Sequence, residues 1–384
     1  MKFRVERDVL ADAVAWAARS LPVRPSVPVL AGLLIETRTS EGVDGLQLST
    51  FDYETSARAT VPADVSAEGR ALVSGRLLAD ICRSLPNKQV EMTIDGAKVS
   101  LTCGSARFSL QTMPVEEYPA LPDMPAATGT VNSDVFAAAV AQAVTAAGRD
   151  DMLPVLTGVR IEIEGDRISL LATDRFRLSH RELTWEPGST DASVAALVPA
   201  KVLADTAKSL TSGSQVTIAL ATSGAGEGII GFEGAAGGGV RRTTTRLLDG
   251  EFPKVRTLFP NEHVTIARVD KASLIESVKR VSLVAERNTA VQMAFSDGVL
   301  TLDAGSGDEA QASESIEAAV NGDDITTGFN PQFLLDGLGA IEAPVVEMAF
   351  TQASKPAVMA GASSLDDDAD LNFRYLLMPR RLLS

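Results

Sequence analysis

The sequence has little of what most catalytic and metal sites are built from. Its 384 residues include two cysteines, two histidines and two tryptophans, and aromatic residues make up 5%. Two cysteines are too few for a disulfide framework or a zinc ribbon. We therefore expect Cys82 and Cys103 to be reduced and packed as small hydrophobic side chains, which favours the cytoplasm as the compartment.

Long apolar runs are also missing. No stretch approaches the roughly 18 consecutive apolar residues that a membrane-spanning helix needs. The first eight residues, MKFRVERD, are rich in charge and lack an apolar region, so we expect no secretory signal. The sequence predicts no membrane partner.

Short chemical motifs are absent as well. The sequence contains no C-x-x-C, H-E-x-x-H, G-x-S-x-G or Walker A pattern, and His180 and His263 fall in different parts of the chain. Residues 226–231 satisfy G-x-G-x-x-G, but the glycine-rich segment after them is no helix, so we interpret them as part of a hairpin. Residues 366–370, DDDAD, lack the spacing and glycine of a calcium loop. We predict no catalytic residue, no metal and no cofactor.

What the sequence does contain is a repeat. Residues 27–36, VPVLAGLLIE, return 126 residues later as LPVLTGVRIE, and residues 71–85 match residues 196–210 at an offset of 125. A fainter third copy follows from Val269 onwards. Similarity at a fixed period indicates a duplicated unit. We therefore predict three domains, at residues 1–126, 127–258 and 259–384.

Each copy runs helix, strands, helix, strands. Apolar spacing of three and four residues predicts the helices, and alternation predicts the strands. Helices set between runs of adjacent strands favour an α+β fold with mostly antiparallel sheet. Open sheets leave edges that invite pairing, so we expect edge-to-edge assembly between domains and between subunits, which makes a ring if it closes. Ser74 is the predicted N-cap of the second helix. The helical segments fall within residues 1–25, 71–88, 131–150, 196–210, 269–287 and 328–342.

The charge is divided unevenly between these helices and the rest of the chain. A formal net charge of −15 taken alone argues against nucleic acid, because duplex binding depends on Lys and Arg contacts with phosphates. The six helical segments nevertheless sum to +3, which leaves −18 on everything else. This partition fits helices that face a polyanion while the outside is acidic. The alternative is that surface helices are often charged and that this asymmetry is modest. It predicts weak, salt-sensitive contact rather than sequence reading.

Two stretches have the composition of recognition surfaces. Residues 172–178, ATDRFRL, mix arginine with phenylalanine in a predicted strand, and residues 375–384 end the sequence on apolar side chains. Exposed apolar tails indicate docking or an interface. An edge strand within the third domain is the alternative for the tail.

The order of several segments resembles one family. MKFRVER at residues 1–7, RPSVPVL at 24–30, DICRSLP at 80–86, ATDRFRL at 172–178, DGEFP at 249–253, GFN at 328–330 and YLLMP at 375–379 follow one another. With them the whole chain resembles the bacterial DNA polymerase III beta subunits, the sliding clamps, of the actinobacterial type. The resemblance implies a head-to-tail homodimer whose six domains close a ring, with twelve helices around duplex DNA that is held without regard to sequence.

The resemblance also implies protein partners and a site for them. Members of the family dock the polymerase III alpha subunit, the clamp loader, other polymerases and repair proteins through short linear motifs that carry Gln and Leu or Phe. The family's peptide-binding pocket falls between the second and third units. Its positions here would be Leu156, Thr173, Arg175, Phe176, Arg177, Leu178, Pro253, Leu258, Asn330, Phe333, Met378, Pro379, Arg380, Arg381 and Leu382.

Two further sets of residues follow from the same resemblance. The dimer contact would join Phe108 and Leu110, on an edge strand, to Leu283 and Val284 of the third unit. The DNA-facing basic residues would be Arg24, Arg76, Arg83, Lys201 and Lys279.

The chain departs from the family's pattern at three places that belong to the pocket. Arg380 stands where an apolar residue is common, Leu383 and Ser384 extend the end of the sequence, and Thr257 stands where some members have Arg. One hypothesis is that this is a second-copy clamp whose pocket evades peptide antibiotics that bind there, such as griselimycin-type cyclic peptides.

Two other functions remain as alternatives to a non-catalytic processivity clamp. The first is a repeat-built scaffold that binds peptides but does not encircle DNA. The second is a hydrolase that uses Asp174 with Arg177, which lacks an accompanying general base or metal set.

Overall fold

The computed structural model describes residues 1–40, 43–190, 193–221, 228–285, 289–305 and 310–380. Each of the six segments predicted to be helical holds one helix, so that prediction is confirmed. Ser74 occupies the N-cap of the second helix as predicted, but its side chain makes no capping hydrogen bond to the described residues. The helices are α1 (Arg7–Ala18), α2 (Gly75–Ser84), α3 (Ser133–Val144), α4 (Ala200–Ser209), α5 (Lys271–Val281) and α6 (Pro331–Ala340).

Strands fill the segments between the helices. Every pairing among the described strands is antiparallel, which confirms the α+β prediction. The strands are β1 (Lys2–Val5), β2 (Gly32–Ser40), β3 (Val43–Phe51), β4 (Thr55–Pro62), β5 (Asp64–Ala67), β6 (Gly69–Ser74), β7 (Val90–Asp95), β8 (Lys98–Cys103), β9 (Ala106–Met113), β10 (Ala127–Asn132), β11 (Gly158–Glu164), β12 (Arg167–Thr173), β13 (Arg177–Thr184), β14 (Glu186–Pro187), β15 (Ser193–Pro199), β16 (Gln215–Ala221), β17 (Ile229–Ala236), β18 (Gly239–Arg246), β19 (Thr265–Asp270), β20 (Val291–Ser296), β21 (Val299–Ala304), β22 (Ala312–Glu317), β23 (Ala319–Gly322), β24 (Ile325–Phe329), β25 (Val345–Phe350), β26 (Ala357–Ala362) and β27 (Asp370–Leu377).

One compact unit comprises Met1–Ala137, Trp185–Ala192 and Lys201–Leu247. Its strands form a single sheet in the order β14-β10-β16-β17-β18-β4-β3-β2-β6-β9-β8-β7-β1-β5. The apolar stripes of α1 and α2 are buried, since Leu10 and Leu78 are fully covered. Residues three and four apart share one helix face, so these stripes supply the core.

The second compact unit comprises Ala138–Thr184, Ser193–Ala200 and Leu248–Ser384. It holds a nine-stranded sheet in the order β15-β11-β12-β13-β27-β26-β25-β19-β23 and a four-stranded sheet in the order β22-β21-β20-β24. Its core is built from buried side chains of α5 and α6, such as Leu274 and Leu334, packed with strand residues that include Tyr375.

The repeated motif folds the same way in both copies. Pro28–Ala31 and Pro154–Thr157 each form a 3₁₀ turn that leads into a strand beginning with glycine. A Cβ added to Gly32 would lie 2.5 Å from the Leu72 side chain, and one added to Gly158 would lie 2.8 Å from the Leu197 side chain. Leu72 and Leu197 are themselves related by the repeat, so in both copies a side chain at this glycine would have to displace the leucine that packs against it.

Strand pairing joins the sequence repeats. β4 of the first repeat pairs with β18 of the second, from Thr55 with Thr245 to Thr60 with Val240. β13 of the second repeat pairs with β27 of the third. The expected edge-to-edge assembly of domains is therefore confirmed at both joins within the chain.

The structure also bears on three smaller predictions, which concern the glycine-rich hairpin, the cysteines and membrane-spanning helices. β17 and β18 form a hairpin that turns at Gly237 and Gly238, although residues 226–227 of the G-x-G-x-x-G pattern lie outside the described residues. Cys82 and Cys103 are free and buried. Each helix in the described part of the chain is too short or too polar to cross a membrane.

Candidate functional site

A tight turn at the end of β12 pushes one aromatic ring outwards. The Asp174 carboxylate accepts hydrogen bonds from the backbone N–H groups of Phe176 and Arg177, at 3.0 and 3.1 Å. The Thr173 hydroxyl donates to the Arg177 carbonyl at 2.7 Å. Arg175 adopts a left-handed φ of 80° within this turn. The side chain of Phe176 is consequently 52% exposed.

The first turn of α6 supplies a second ring. The Asn330 side chain caps the helix by accepting from the backbone N–H groups of Gln332 and Phe333, at 2.9 and 3.1 Å. This fixes the start of α6 so that Phe333 stacks on Phe176, with ring centroids 6.3 Å apart and an interplanar angle of 27°. The two rings form an aromatic wall.

A buried guanidinium lies behind that wall. Arg177 is 6% exposed, and its carbon Cζ lies 4.3 Å from the centre of the Phe333 ring. It donates to Asp174 at 2.9 Å and to Asp336 at 2.6 Å. Burial alone lowers the pKa of Arg177, but Tyr375 and Asp336 more than offset this, so the pKa lies above its ordinary value. The side chain is a permanent cation.

Beside the aromatic wall lies a groove of about 380 Å³. Its lining combines apolar side chains with two arginines and two aspartates, an arrangement suited to an apolar anchor fixed by a few polar groups. Four predicted pocket residues meet here: Leu156, Arg175, Phe176 and Phe333. The remaining lining residues are Gly148, Arg149, Asp150, Leu153 and Asp174.

The other predicted pocket residues take up different positions in the same unit. Thr173 and Leu178 are buried, and Leu178 packs in a small apolar cluster with Val358 and Leu376. Pro253 lines a separate cavity of about 220 Å³, together with Thr257.

The segment after β27 runs back to the groove's elements. Met378, in this segment, is 39% exposed, and Leu258, in the 3₁₀ turn Val255–Leu258 before β19, is 49% exposed. The Met378 N–H donates to the Phe176 carbonyl at 2.9 Å, and the Arg380 N–H donates to the Gly328 carbonyl at 2.8 Å. Pro379 is half-buried. Arg381 and Leu382 lie outside the described residues.

Sequence reasoning missed residues 148–153 and Asp336. Gly148, Arg149 and Asp150 precede the repeated motif, and Leu153 is its first residue. The Gly148 N–H donates to the Leu156 carbonyl at 2.7 Å. Their position beside the motif is the signal that could have found them. Asp336 has no comparable signal, since its role depends on contact with Arg177, 159 residues away.

The predicted DNA-facing residues are all exposed. Arg24, Arg76, Arg83 and Lys201 belong to the first unit, and Lys279 belongs to the second. Arg76 and Arg83 line one cleft of about 280 Å³ between α1 and α2. Lys201 lines another cavity of about 250 Å³.

Arg19 lines both of these cavities. It follows directly after α1 and was absent from the predicted set. Arg76, Arg83 and Lys201 therefore each share a cavity with Arg19.

The four predicted dimer residues differ in exposure. Along β9, Phe108 is 37% exposed, whereas Leu110 is 3% exposed and belongs to the core of the first unit. From Arg107 to Leu110, β9 pairs with β8 and its other edge is unpaired among the described strands. Leu283 is 84% exposed. Val284 packs partly against the core of the second unit.

Comparison with known proteins gives one consistent result. Three models of the DNA polymerase III beta subunit match in tandem: the N-terminal domain at residues 1–122, the central domain at 130–254 and the C-terminal domain at 256–381. The beta sliding clamp of Streptomyces coelicolor is 60% identical over 382 residues, with 100% of both chains covered.

Two further relatives give the same result. A beta sliding clamp homologue, GriR of Streptomyces muensis, is 45% identical over 381 residues, which is 99% of each chain. A crystal structure of the Pseudomonas aeruginosa sliding clamp bound to griselimycin matches with a TM-score of 0.88 at 25% identity, covering 100% of both chains.

Proposed function

The chain belongs to the DNA polymerase III beta-subunit family, the bacterial sliding clamps, and from this premise we propose which of its residues perform each part of a clamp's work. It is a non-catalytic processivity subunit. The tandem match of three family domains along one chain is the observation that carries this conclusion. Asp174, the residue considered for a hydrolase, is engaged by Arg177 and by two backbone N–H groups, as a turn residue would be.

We propose that two copies assemble head to tail into a ring of six domains, with boundaries at residues 126 and 258. The unpaired edge of β9 beside Phe108 and the exposed Leu283 support this. An apolar side chain that is 84% exposed is costly in water and gains by burial in a subunit contact.

The inner face of the ring would hold duplex DNA through Arg24, Arg76, Arg83, Lys201 and Lys279, with Arg19 added. Retention comes from the closed ring, so the phosphate contacts need only be weak. The ion pairs of Arg83 with Asp80 and of Lys279 with Glu276 support this, because they temper the local positive charge. Strong phosphate contacts would slow sliding.

The groove beside Phe176 and Phe333 would take the apolar residues of linear motifs. Leu156 and Phe333 supply apolar contact, and Arg175 supplies a charge at the rim. The proposed occupants are the polymerase III alpha subunit, the clamp loader, other polymerases and repair proteins. The place of action would be the cytoplasm, where these partners replicate DNA.

A finer proposal concerns antibiotics. Thr257 lines the cavity beside Pro253, and the Arg380 backbone is tied to Gly328. If these two positions make this a resistant second-copy clamp, griselimycin binds it more weakly than it binds the Streptomyces coelicolor relative. Equal affinity would contradict the proposal.

Primer extension tests the main function. With a clamp loader and a replicative polymerase, addition of this protein should lengthen products made in a single binding event. Products of unchanged length, with the Streptomyces coelicolor clamp active in the same assay, would contradict it.

A further inference from the structure

We propose that Asp336 is a positioning residue that acts through Arg177 to hold the Phe333 ring in place as a wall of the groove. The inference deepens the proposed peptide-binding function and rests on it. Asp336 follows Phe333 by three residues on α6, so the two side chains share one helix face. Its carboxylate is 2.6 Å from the Arg177 guanidinium, which in turn lies 4.3 Å from the centre of the Phe333 ring.

Both oxygens of the Asp336 carboxylate have a partner. Oδ2 accepts from Arg177, and Oδ1 accepts from the Gln332 side chain at 2.8 Å. A carboxylate held at both oxygens fixes the plane of the guanidinium that it pairs with. That plane is the surface on which the Phe333 ring rests.

Asp174 cannot replace Asp336 in this role. One Asp174 oxygen accepts two backbone N–H groups of its own turn, and the other accepts from Arg177 Nε. The Nη1 nitrogen of Arg177 is held by Asp336 and by the Tyr375 hydroxyl, at 2.6 and 3.4 Å. Without the Asp336 charge, a guanidinium that is 6% exposed would keep one carboxylate, and its position would loosen.

Tyr375 ties the backbone of Phe333 into the same network. Its hydroxyl donates to the Phe333 carbonyl at 2.9 Å. Behind it, a Cβ added to Gly337 would lie 2.5 Å from the Tyr375 ring, so the ring packs directly on the α6 backbone. Phe333 is thereby held at both its ring and its carbonyl.

The test is a double-mutant cycle on peptide binding. We would measure, by fluorescence anisotropy, the affinity of a fluorescein-labelled pentapeptide that begins with Gln and ends in Leu-Phe. The variants are Asp336→Asn, Phe333→Ala and the double variant, all in the full-length protein. Glu342→Gln is the control, because Glu342 is an exposed carboxylate just beyond the same helix.

We expect Asp336→Asn to weaken binding about tenfold in the wild-type background and less than about twofold in the Phe333→Ala background, since coupled residues are non-additive. Glu342→Gln should bind as wild type. Equal weakening in both backgrounds, or no weakening in either, overturns the positioning role. If Phe333→Ala binds the peptide as well as wild type does, the proposal that this groove binds peptides is wrong, and the role of Asp336 is not the cause of the failure.

A second variant covers the case in which Asp336→Asn fails to fold. Gln332→Ala removes the partner of Asp336 Oδ1 and alters an exposed side chain. We expect it to weaken binding about twofold to threefold, again only when Phe333 is present. Wild-type affinity in this variant would overturn the proposal.

Discussion

The imidazole Nδ1 of His180 lies 2.8 Å from a guanidinium nitrogen of Arg374, its partner on the neighbouring strand. Arginine has only donors to offer, so the histidine nitrogen accepts and the ring is neutral. His180 is 1% exposed. Burial, then the charges of Arg374 and Arg256, lower the pKa of His180 to about 4, against the opposing pull of Glu182 at 3.3 Å.

This pair predicts how stability depends on pH. Between pH 6.5 and about 4 the unfolded chain protonates this histidine and the folded chain does not. The contribution of His180 to the free energy of unfolding is therefore complete above pH 6.5, decreases as the pH falls and reaches a constant lower value below about pH 4. The total loss is on the order of 3 kcal/mol, at about 1.4 kcal/mol per pKa unit.

The variant His180→Asn keeps an acceptor for Arg374 and removes the titration. We expect its free energy of unfolding, from urea titrations at several pH values, to fall less steeply than that of wild type between pH 6.5 and 4. His263→Asn is the comparison, because burial also lowers the pKa of this exposed histidine, and we expect it to flatten the slope less than His180→Asn does. The same slope in His180→Asn and wild type would contradict this account.

Phe176 gives a direct test of the groove. The ring is 52% exposed, so Phe176→Ala should change stability little while removing half of the aromatic wall. We expect peptide affinity to fall about tenfold, the effect of losing a moderate interface anchor. The control is Leu371→Ala, which removes a similarly exposed side chain, 58%, near the start of β27, whereas Phe176 lies beside the end of that strand. Equal affinity in the two variants would argue against this groove.

The subunit contact can be separated from the fold. Leu283→Glu places a charge on a side chain that is 84% exposed, and we expect a folded monomer by light scattering. Leu110→Ala alters a core residue, 3% exposed, and should cost about 2–5 kcal/mol of stability. A Leu283→Glu variant that remains a dimer at all concentrations would contradict the proposed contact.

The basic cleft between α1 and α2 predicts how direct DNA binding depends on salt concentration. Arg76→Gln combined with Arg83→Gln should lower the salt dependence of direct DNA binding by roughly two phosphate contacts. The double variant of Lys98→Gln and Lys355→Gln removes the same charge at exposed sites outside the cleft. If both double variants change the salt dependence equally, net charge rather than the cleft governs contact.

The helices and the repeat could be predicted because their signals are local. Apolar spacing placed all six helices, and the repeated motif forms the same turn before Gly32 and Gly158. The groove could be predicted only in part. Asp336 lies behind the groove, where it contacts Arg177, 159 residues away in the sequence. Residues 148–150 line the groove, and Gly148 is held by its hydrogen bond to Leu156. No local pattern records either contact.

How far each residue of a strand is exposed could not be predicted from the sequence either. Phe108 and Leu110 lie two residues apart, so alternation puts them on one face of β9. The structure covers Leu110 and leaves Phe108 37% exposed, because the core of the first unit reaches only one of them. Sequence spacing gives the face of a strand but not how far the core extends beneath it.

Retention on DNA is the most direct measurement of the central claim. The protein would be loaded on nicked circular DNA with a clamp loader, washed in high salt and then released by linearising the circle. A closed ring held by topology predicts retention on the circle through the wash and loss after linearisation. Loss from the intact circle in salt, with a known clamp retained in parallel, would contradict encirclement and favour a peptide-binding scaffold.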